Sequence, residues 1–442
     1  MKYAGQALGE EELKVRVTVI GSGYVGLTSG SMFAELGHQV TCVDKEAEKI
    51  RLLKSGKVPF YEPGLDSLVQ KHIGCNLKFT TSLASSNRAK VIMVAVGTPP
   101  AADGSPDLSF VLEATRQVVP YLKNYKVIIL KSTVPVGTKQ IVKDFLLAEN
   151  VPRKNFDIVS NPEFLREGSA ILDSFHPDRI VIGAESQKAV EITRSLYQGI
   201  ECPVMVTSNE AAEMIKYAAN AFLGAKISFI NELAGICEKY GVDINEVARG
   251  IGYDSRIGFH FLKPGAGYGG SCLPKDLSGL ISLAERTGAK ASILKAVSEV
   301  NSDRPAVLVN KLIEELGDLQ DRRVAVWGLA FKPETDDMRF APALPVINLL
   351  LHEGAKVLAY DPVAAENARK LLPESVTLGP DMYETARGCD ALLIITEWAE
   401  FARADLKLLK SIMKNPIIID GRNIFSPPDV KSRGFVYRGV GR

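Results

Sequence analysis

Residues Gly265 to Asp276 read Gly-Ala-Gly-Tyr-Gly-Gly-Ser-Cys-Leu-Pro-Lys-Asp. Four glycines in so short a run imply that backbone must approach a ligand closely. Cys272 follows them, with Lys275 and Asp276 just beyond, where a thiolate could be stabilised. A second feature lies upstream. Residues 17–26 read Val-Thr-Val-Ile-Gly-Ser-Gly-Tyr-Val-Gly, the glycine pattern of a dinucleotide turn. A nicotinamide site plus a nucleophilic cysteine points to an oxidation that passes through a covalent thiol adduct.

The glycines divide the work. Gly21 allows the tight turn, Gly23 lets backbone approach a pyrophosphate, and Gly26 permits close helix–strand packing. The amides that open the following helix then face the phosphates. Asp44 ends the second expected strand, near the spacing of the acid that takes the ribose hydroxyls. A carboxylate there repels a ribose 2′-phosphate, so the expected cofactor is NAD. Lys45 and Lys49 follow it and weigh the other way. The plain alternative is a tight turn with no ligand. Strand, helix and acid in register count against that.

Cys272 and Asp276 are four apart, so a helical turn would place them on one face. A helix starting there would also favour the thiolate. The plain alternative is a small buried cysteine. Lys216 and Asn220 are likewise four apart, amid Met214, Ile215, Tyr217, Ala218 and Ala219. They could hold an oxyanion, or be two solvated polar residues on an amphipathic helix. Glu163 and Glu167 follow the expected strand ending at Ser160, and carboxyl ends of parallel strands are where ligands bind. They are candidates for proton work or a water contact, or else an ordinary charged loop. Thr98, Ser132 and Thr133 end two further strands, and three such turns at one sheet edge favour a pocket.

The elements that must position these residues alternate. Expected strands at 15–20, 39–43, 91–96, 127–131, 157–160 and 179–182 alternate with helical patterns, the signature of a parallel doubly wound sheet. From Glu210 to Tyr240 no proline occurs and apolar residues recur at helical spacing. This predicts one long helix, with Ser208 and Asn209 as caps. Further helices follow to about Leu316. A second alternation starts at Arg323, turns at Gly328, runs through a helix near 344–352 and a strand ending at Asp361, and continues with strands at 391–396 and 416–420. The expected fold is therefore α/β, with two Rossmann-like doubly wound domains joined by a helical middle domain. The expected boundaries are a flexible extension at 1–13, a cofactor domain at 14–207, the helical domain at 208–318 and the second sheet domain at 319–442.

Composition narrows the function. The 442 residues suit two or three domains, and 46% hydrophobic content supplies ordinary cores. A net charge of +1 gives no bulk case for nucleic acid or membrane. No segment is long and apolar enough to span a bilayer. The six cysteines are scattered without a CxxC pair, so reduced thiols in a cytoplasm are expected. The five histidines do not cluster with them, which argues against a metal site.

Taken together, the motifs Gly-Ser-Gly-Tyr-Val-Gly, Asn-Pro-Glu-Phe-Leu, Glu-Met-Ile-Lys-Tyr-Ala-Ala-Asn, Asp-Ser-Arg-Ile-Gly, Gly-Tyr-Gly-Gly-Ser-Cys-Leu-Pro-Lys-Asp, Gly-Leu-Ala-Phe-Lys and Asp-Gly-Arg resemble the UDP-glucose 6-dehydrogenases, within the nucleotide-sugar dehydrogenases. The likeness runs from Val15 to Arg422. It implies an amino-terminal NAD domain, a helical middle that forms a homodimer or higher oligomer, and a carboxy-terminal domain for the uridine diphosphate of UDP-glucose. It also supplies roles. Cys272 matches the nucleophile; Lys216, Asn220 and Asp276 match the groups that position water and stabilise an oxyanion. Thr133 and Glu163 match residues near the reacting carbon. Tyr24, Val25, Lys49, Thr98, Ser132, Glu167, Lys275 and Arg339 are expected at the cofactor, beside the three glycines and Asp44. Phe164, Leu165, Lys263, Gly265, Tyr268, Gly269, Lys332 and Arg422 are expected at the substrate, with Arg256 reaching a partner subunit's sugar site.

The substrate is less sharply marked. Cys-Leu-Pro-Lys-Asp also resembles GDP-mannose 6-dehydrogenases. Relatives that oxidise N-acetylated sugars usually carry histidine where this chain has Ser271. Two other classes compete: a two-electron hydroxyacid dehydrogenase, which would not need Cys272, and a non-catalytic nucleotide-sugar sensor, which would not need Cys272, Lys216 and Asp276 together.

Overall fold

A computed structural model describes residues 14–101 and 104–442. The expected extension at 1–13 lies outside the described residues. The chain divides into two compact units between Ala218 and Ala219.

The first unit is built on eight strands: β1 Arg16–Ile20, β2 Gln39–Val43, β3 Leu77–Thr80, β4 Val91–Val94, β5 Lys126–Leu130, β6 Phe156–Ser160, β7 Ile180–Gly183 and β8 Val204–Thr207. Their order is β3-β2-β1-β4-β5-β6-β7-β8. All neighbours are parallel except β6 and β7. Every residue of β4, β5 and β6 is buried, as strands covered on both faces should be. Alternate residues feed two cores. Val17, Val19, Val91 and Met93 join one; Ile20, Ile92, Val94 and Ile128 join the other. Chain order reverses between β1 and β4, so their carboxyl ends flank a switch point, the usual place for a ligand.

The second unit carries a wholly parallel six-stranded sheet, with β9 Arg323–Trp327, β10 Lys356–Tyr360, β11 Thr377–Leu378, β12 Ala391–Ile394, β13 Ile417–Asp420 and β14 Val436–Arg438. The order is β11-β10-β9-β12-β13-β14, the same winding as the first six strands of the first sheet. Its helices include Leu273–Thr287 and Ser292–Leu316. Ile230 and Ala234 of the long helix, Leu308 and Leu312 of the helix Ser292–Leu316, and Val324 and Val326 of β9 share one apolar core. The middle helices are thus packed with the second sheet.

The long helix spans Asn209–Tyr240. Ser208 caps it, accepting the Ala211 amide at 3.1 Å. Asn209 does not cap. Its amide instead donates to Ile158 O and Ser160 Oγ, tying the helix start to β6. The sequence reading placed six strands in the first sheet. The two it missed, β3 and β8, are four-residue strands, and β8 is poorly covered, with Met205 and Val206 exposed.

Candidate active site

The glycine turn is built as a dinucleotide needs. Gly21 has φ +96°, and a Cβ there would lie 2.6 Å from Ala95 O. A Cβ on Gly26 would strike Gly21 O. Gly23 faces open space and opens the helix Tyr24–Glu35, which no side chain caps. Its first amides are therefore available to an anion. Asp44 follows β2 and accepts the Ser22 amide at 2.9 Å and Lys49 Nζ at 3.1 Å. Burial would raise its carboxyl. The Glu46 and Ser22 amides and Lys49 outweigh that and hold it below its ordinary value. An ionised acid at the end of β2, beside open glycine backbone, fits a ribose diol and opposes a 2′-phosphate. Lys49, one of the two cations that weigh toward NADP, is engaged by Asp44 and Glu46 and so neutralised in place. When bound at this turn, NAD would supply the acceptor for a hydride.

Next along the sheet edge, Thr98 Oγ1 donates to Thr133 O at 2.8 Å and Ser132 Oγ donates to Val96 O at 2.6 Å. The turns after β4 and β5 are thereby stitched together. Glu163, in the loop after β6, is buried and pairs with Lys216 at 2.9 Å, itself buried. The other Glu163 oxygen accepts the Leu165 amide at 2.6 Å. Burial alone would raise this carboxyl. The charge and hydrogen bond of Lys216, the Leu165 amide and the charge of Lys131 hold it below its ordinary value. The Phe164 ring lies 5.5 Å from Lys216 Nζ and 3.5 Å from the Arg179 guanidinium. Ser132, Thr133, Ser160 and Lys216 line one small pocket of this unit. Residues expected at the site from separate chain segments are therefore neighbours.

In the second unit, Cys272 is the N-cap of the helix Leu273–Thr287, with Pro274 in the first turn. The first helical bond runs from the Asp276 amide to Cys272 O. The segment thus turns helical from Cys272 onward, which places the cysteine at the positive end of the helix. Ser271 Oγ lies 3.5 Å from Cys272 Sγ. Asp276 is fully buried and receives Asn220 Nδ2 at 2.6 Å and Lys275 Nζ at 2.5 Å. Asn220 is no solvated residue; the buried acid fixes it. Lys216 and Asn220 stand one turn apart on the same helix.

The glycine loop before Cys272 is held by its backbone. Asn231 accepts the Gly265 amide at 2.7 Å, Arg304 donates to Gly265 O at 3.0 Å, and Arg422 donates to Gly267 O at 3.2 Å. Asn301 bonds both the amide and the carbonyl of Tyr268. Gly269 touches the Phe340 carbonyl where a Cβ cannot fit. Burial pushes the Tyr268 phenol up to about 12. Arg422 also meets Glu397 at 3.2 Å, and Lys332 lies over the Phe331 ring. Arg339 pairs with Asp337, and its carbonyl accepts the Gly270 amide. Lys263 and Arg256 are exposed; Arg256 stands at 87% exposure, paired with Asp254. Among the described residues no cluster of acids, histidines and cysteines could hold a metal ion. No described helix is long and apolar enough to cross a membrane.

Sequence reasoning missed two buried acids. Glu62 bonds Tyr24 OH and the amides of Gly168 and Ala170, tying the first residue of the fingerprint helix to the loop that carries Glu167. Glu213 stands three residues before Lys216 and also borders the pocket. Its one sequence signal is an acid on the face of a helix that otherwise reads as apolar.

Comparison with known proteins assigns most of the chain to one family. The chain matches the UDP-glucose/GDP-mannose dehydrogenase family in its NAD binding domain over residues 15–201, its central domain over 210–303 and its UDP binding domain over 325–427. It is 48% identical to the UDP-glucose 6-dehydrogenase TuaD of Bacillus subtilis (strain 168), over 97% of this chain and 93% of that one. It is 46% identical to the UDP-glucose 6-dehydrogenase of Rhizobium meliloti (strain 1021), over 97% and 100%. Among solved structures it superposes on a UDP-glucose dehydrogenase from Pyrobaculum islandicum with a TM-score of 0.92 at 37% identity, covering 99% and 100% of the two chains. A UDP-D-ManNAc dehydrogenase from Pyrococcus horikoshii gives 0.86 at 30%, covering 97% and 99%.

Proposed function

The chain belongs to the UDP-glucose/GDP-mannose dehydrogenase family, and within it we propose that it oxidises UDP-glucose to UDP-glucuronate with two NAD. Oxidation of a nucleotide sugar with NAD is the coarser activity that membership carries. The observation that carries the finer reading is Cys272 at a helix N-terminus, in the turn whose buried Asp276 holds Asn220 and Lys275. A two-electron hydroxyacid dehydrogenase has no use for that thiol. UDP-glucose is supported by Ser271, which stands where N-acetyl-sugar relatives usually carry histidine, and by the UDP-glucose dehydrogenases of Bacillus subtilis, Rhizobium meliloti and Pyrobaculum islandicum to which the chain is similar.

The chemistry asks specific things of the chain. Converting a primary alcohol to a carboxylate removes four electrons as two hydrides. The first oxidation leaves an aldehyde, which must not escape or hydrate. The Cys272 thiolate adds to the aldehyde carbon, forming the C–S bond of a thiohemiacetal. Loss of a second hydride from that carbon, and of the hydroxyl proton, leaves a thioester. Water then attacks the acyl carbon, the C–S bond breaks, and the thiolate departs as the acid forms. Lys216 and Asn220 stabilise the oxyanions on this path. Asp276, with Thr133 or Glu163, orients the water and takes its proton.

Asp44 sets the cofactor. Like charges in contact cost several kcal/mol, so kcat/KM with NAD should exceed that with NADP by about 100-fold or more. Equal efficiency with both would contradict this role. Substrate choice is tested by kcat/KM for UDP-glucose, GDP-mannose and UDP-N-acetylmannosamine. UDP-glucose should lead; a lead by either of the others would overturn the substrate assignment.

We also propose a cytoplasmic homodimer formed along the long helix. Met214, Phe222, Phe229, Ile236 and Tyr240 leave an exposed apolar stripe on it, at intervals of eight, seven, seven and four residues, which return to one face of a helix. Exposed Arg256 would reach the partner's sugar site. Mixing Arg256→Ala with Cys272→Ala protomers should restore some activity, through heterodimers with one intact composite site. No recovery after demonstrated subunit exchange would place Arg256 in its own chain's site.

A further inference from the structure

Glu213 is buried in the first unit, at 3% exposure, yet has no cationic side chain within ion-pair distance among the described residues. Its carboxylate is spent on three donors from two other elements. Oε2 accepts the Gly137 amide at 2.7 Å. Oε1 accepts the Lys139 amide at 3.1 Å and Ser160 Oγ at 3.0 Å. Gly137 and Lys139 open the helix Thr138–Ala148, whose own N-cap, Gly137, has no side chain to offer. Ser160 ends β6, three residues before Glu163, and also accepts from Asn209 at 3.1 Å. An acid from the long helix thus caps a helix 74 residues away in sequence and grips the end of a strand. Its position matters. Lys216 is the next turn of the same helix, and Thr133 is in the short turn between β5 and the capped helix. Glu213, Thr133 and Lys216 border the same pocket.

We propose that Glu213 is a positioning residue for the oxidation: by capping the helix Thr138–Ala148 and holding Ser160, it fixes the turn that carries Thr133 against the helix face that carries Lys216. This rests on the role given above to Thr133 and Lys216 and extends it to a residue that need not touch substrate. A carboxylate suits the task because both oxygens accept and neither donates. A glutamine of the same shape offers one oxygen and one NH₂ group, so a donor must face a donor. One of the two capped amides loses its acceptor and the turn shifts. A displacement of about 1 Å at a reacting group can cost about 100-fold in rate.

The test is a double-mutant cycle on the full-length protein, read as steady-state kcat and KM with UDP-glucose and NAD. Glu213→Gln should lower kcat by about 10- to 100-fold while both KM values stay within about twofold, because the groups that bind are intact and the reacting geometry is not. Thr133→Ala should also lower kcat. In the Thr133→Ala background, Glu213→Gln should cost much less than it does alone, because the side chain that it places is gone. Glu213→Asp keeps the charge but shortens the arm; it should give an intermediate loss, and it carries the same cycle if the glutamine variant does not fold. Thr133→Ala with full turnover would overturn the role of Thr133 itself. Thr133→Ala slowed, with Glu213→Gln or Glu213→Asp turning over like the unmodified protein, would overturn only the inference about Glu213. Equal fold-losses in both backgrounds would also overturn it, since damage unrelated to Thr133 adds independently.

Discussion

Cys272→Ala should lose acid formation by on the order of 10⁴-fold or more, the usual scale for removing a covalent nucleophile. The first oxidation needs no thiol, so the variant could still make some aldehyde. Cys272→Ser should fail differently. Its hydroxyl can add to the aldehyde, but the resulting ester has an alkoxide as leaving group, a poorer one than a thiolate. It should stall as a covalent adduct, visible as a mass increase on the intact chain. The position of the residue supports this expectation. As the N-cap of the helix Leu273–Thr287, Cys272 holds its sulfur at the positive helix end. A Cys272→Ala protein that still made the acid at the unmodified rate would remove the thiol from the mechanism.

Lys216→Ala should have the second-largest effect, on rate and stability together. Loss of an oxyanion-stabilising donor typically costs about 10²–10³ in kcat. Lys216 and Glu163 are also a buried pair at 2.9 Å, and breaking such a pair leaves a charge without its partner, at about 3–5 kcal/mol. Burial would raise the Glu163 carboxyl, but Lys216, with the Leu165 amide and the charge of Lys131, holds it below its ordinary range in the folded chain. A depressed folded pKa means that the stabilisation is complete above the unfolded value and drains as pH falls through the folded one. The unmodified protein should therefore hold its thermal midpoint from neutral pH down to the ordinary carboxylate range and lose it below. Lys216→Met should lose most of that acid dependence, because Glu163 then has less reason to stay ionised. An unchanged midpoint and an unchanged acid limb in Lys216→Met would mean that the pair does not stabilise the fold.

The parts of the molecule that repeat were legible in the sequence. The long helix, expected at 210–240 and found at Asn209–Tyr240, shows because 32 residues without proline give periodicity room to register. The fingerprint shows because Gly21, Gly23 and Gly26 sit at fixed spacing between a strand and a helix, an arrangement that few turns without a ligand require. The faces shared by Cys272 and Asp276 and by Lys216 and Asn220 followed from spacing alone. What spacing could not give was which polar residues are buried and what holds them there. Asn220 read equally well as solvated until Asp276 was found against it. Glu62 and Glu213 were invisible because their partners are backbone amides 106 and 76 residues away, which carry no side-chain signature. Arg256, Lys332, Arg339 and Arg422 came only from resemblance. The structure gives Arg422 a definite place, donating to Gly267 O beneath the glycine loop, and leaves Arg256 exposed on its own chain.

In the proposed reaction one active site performs both oxidations and Cys272 carries the sugar between them. It is tested most directly by counting. A limiting, measured amount of UDP-glucose is consumed with excess NAD, NADH is read by absorbance, and the sugar product is identified by mass. The expected outcome is two NADH for each UDP-glucose, UDP-glucuronate as product and little free aldehyde. One NADH for each sugar, with the aldehyde as the product released, would contradict it.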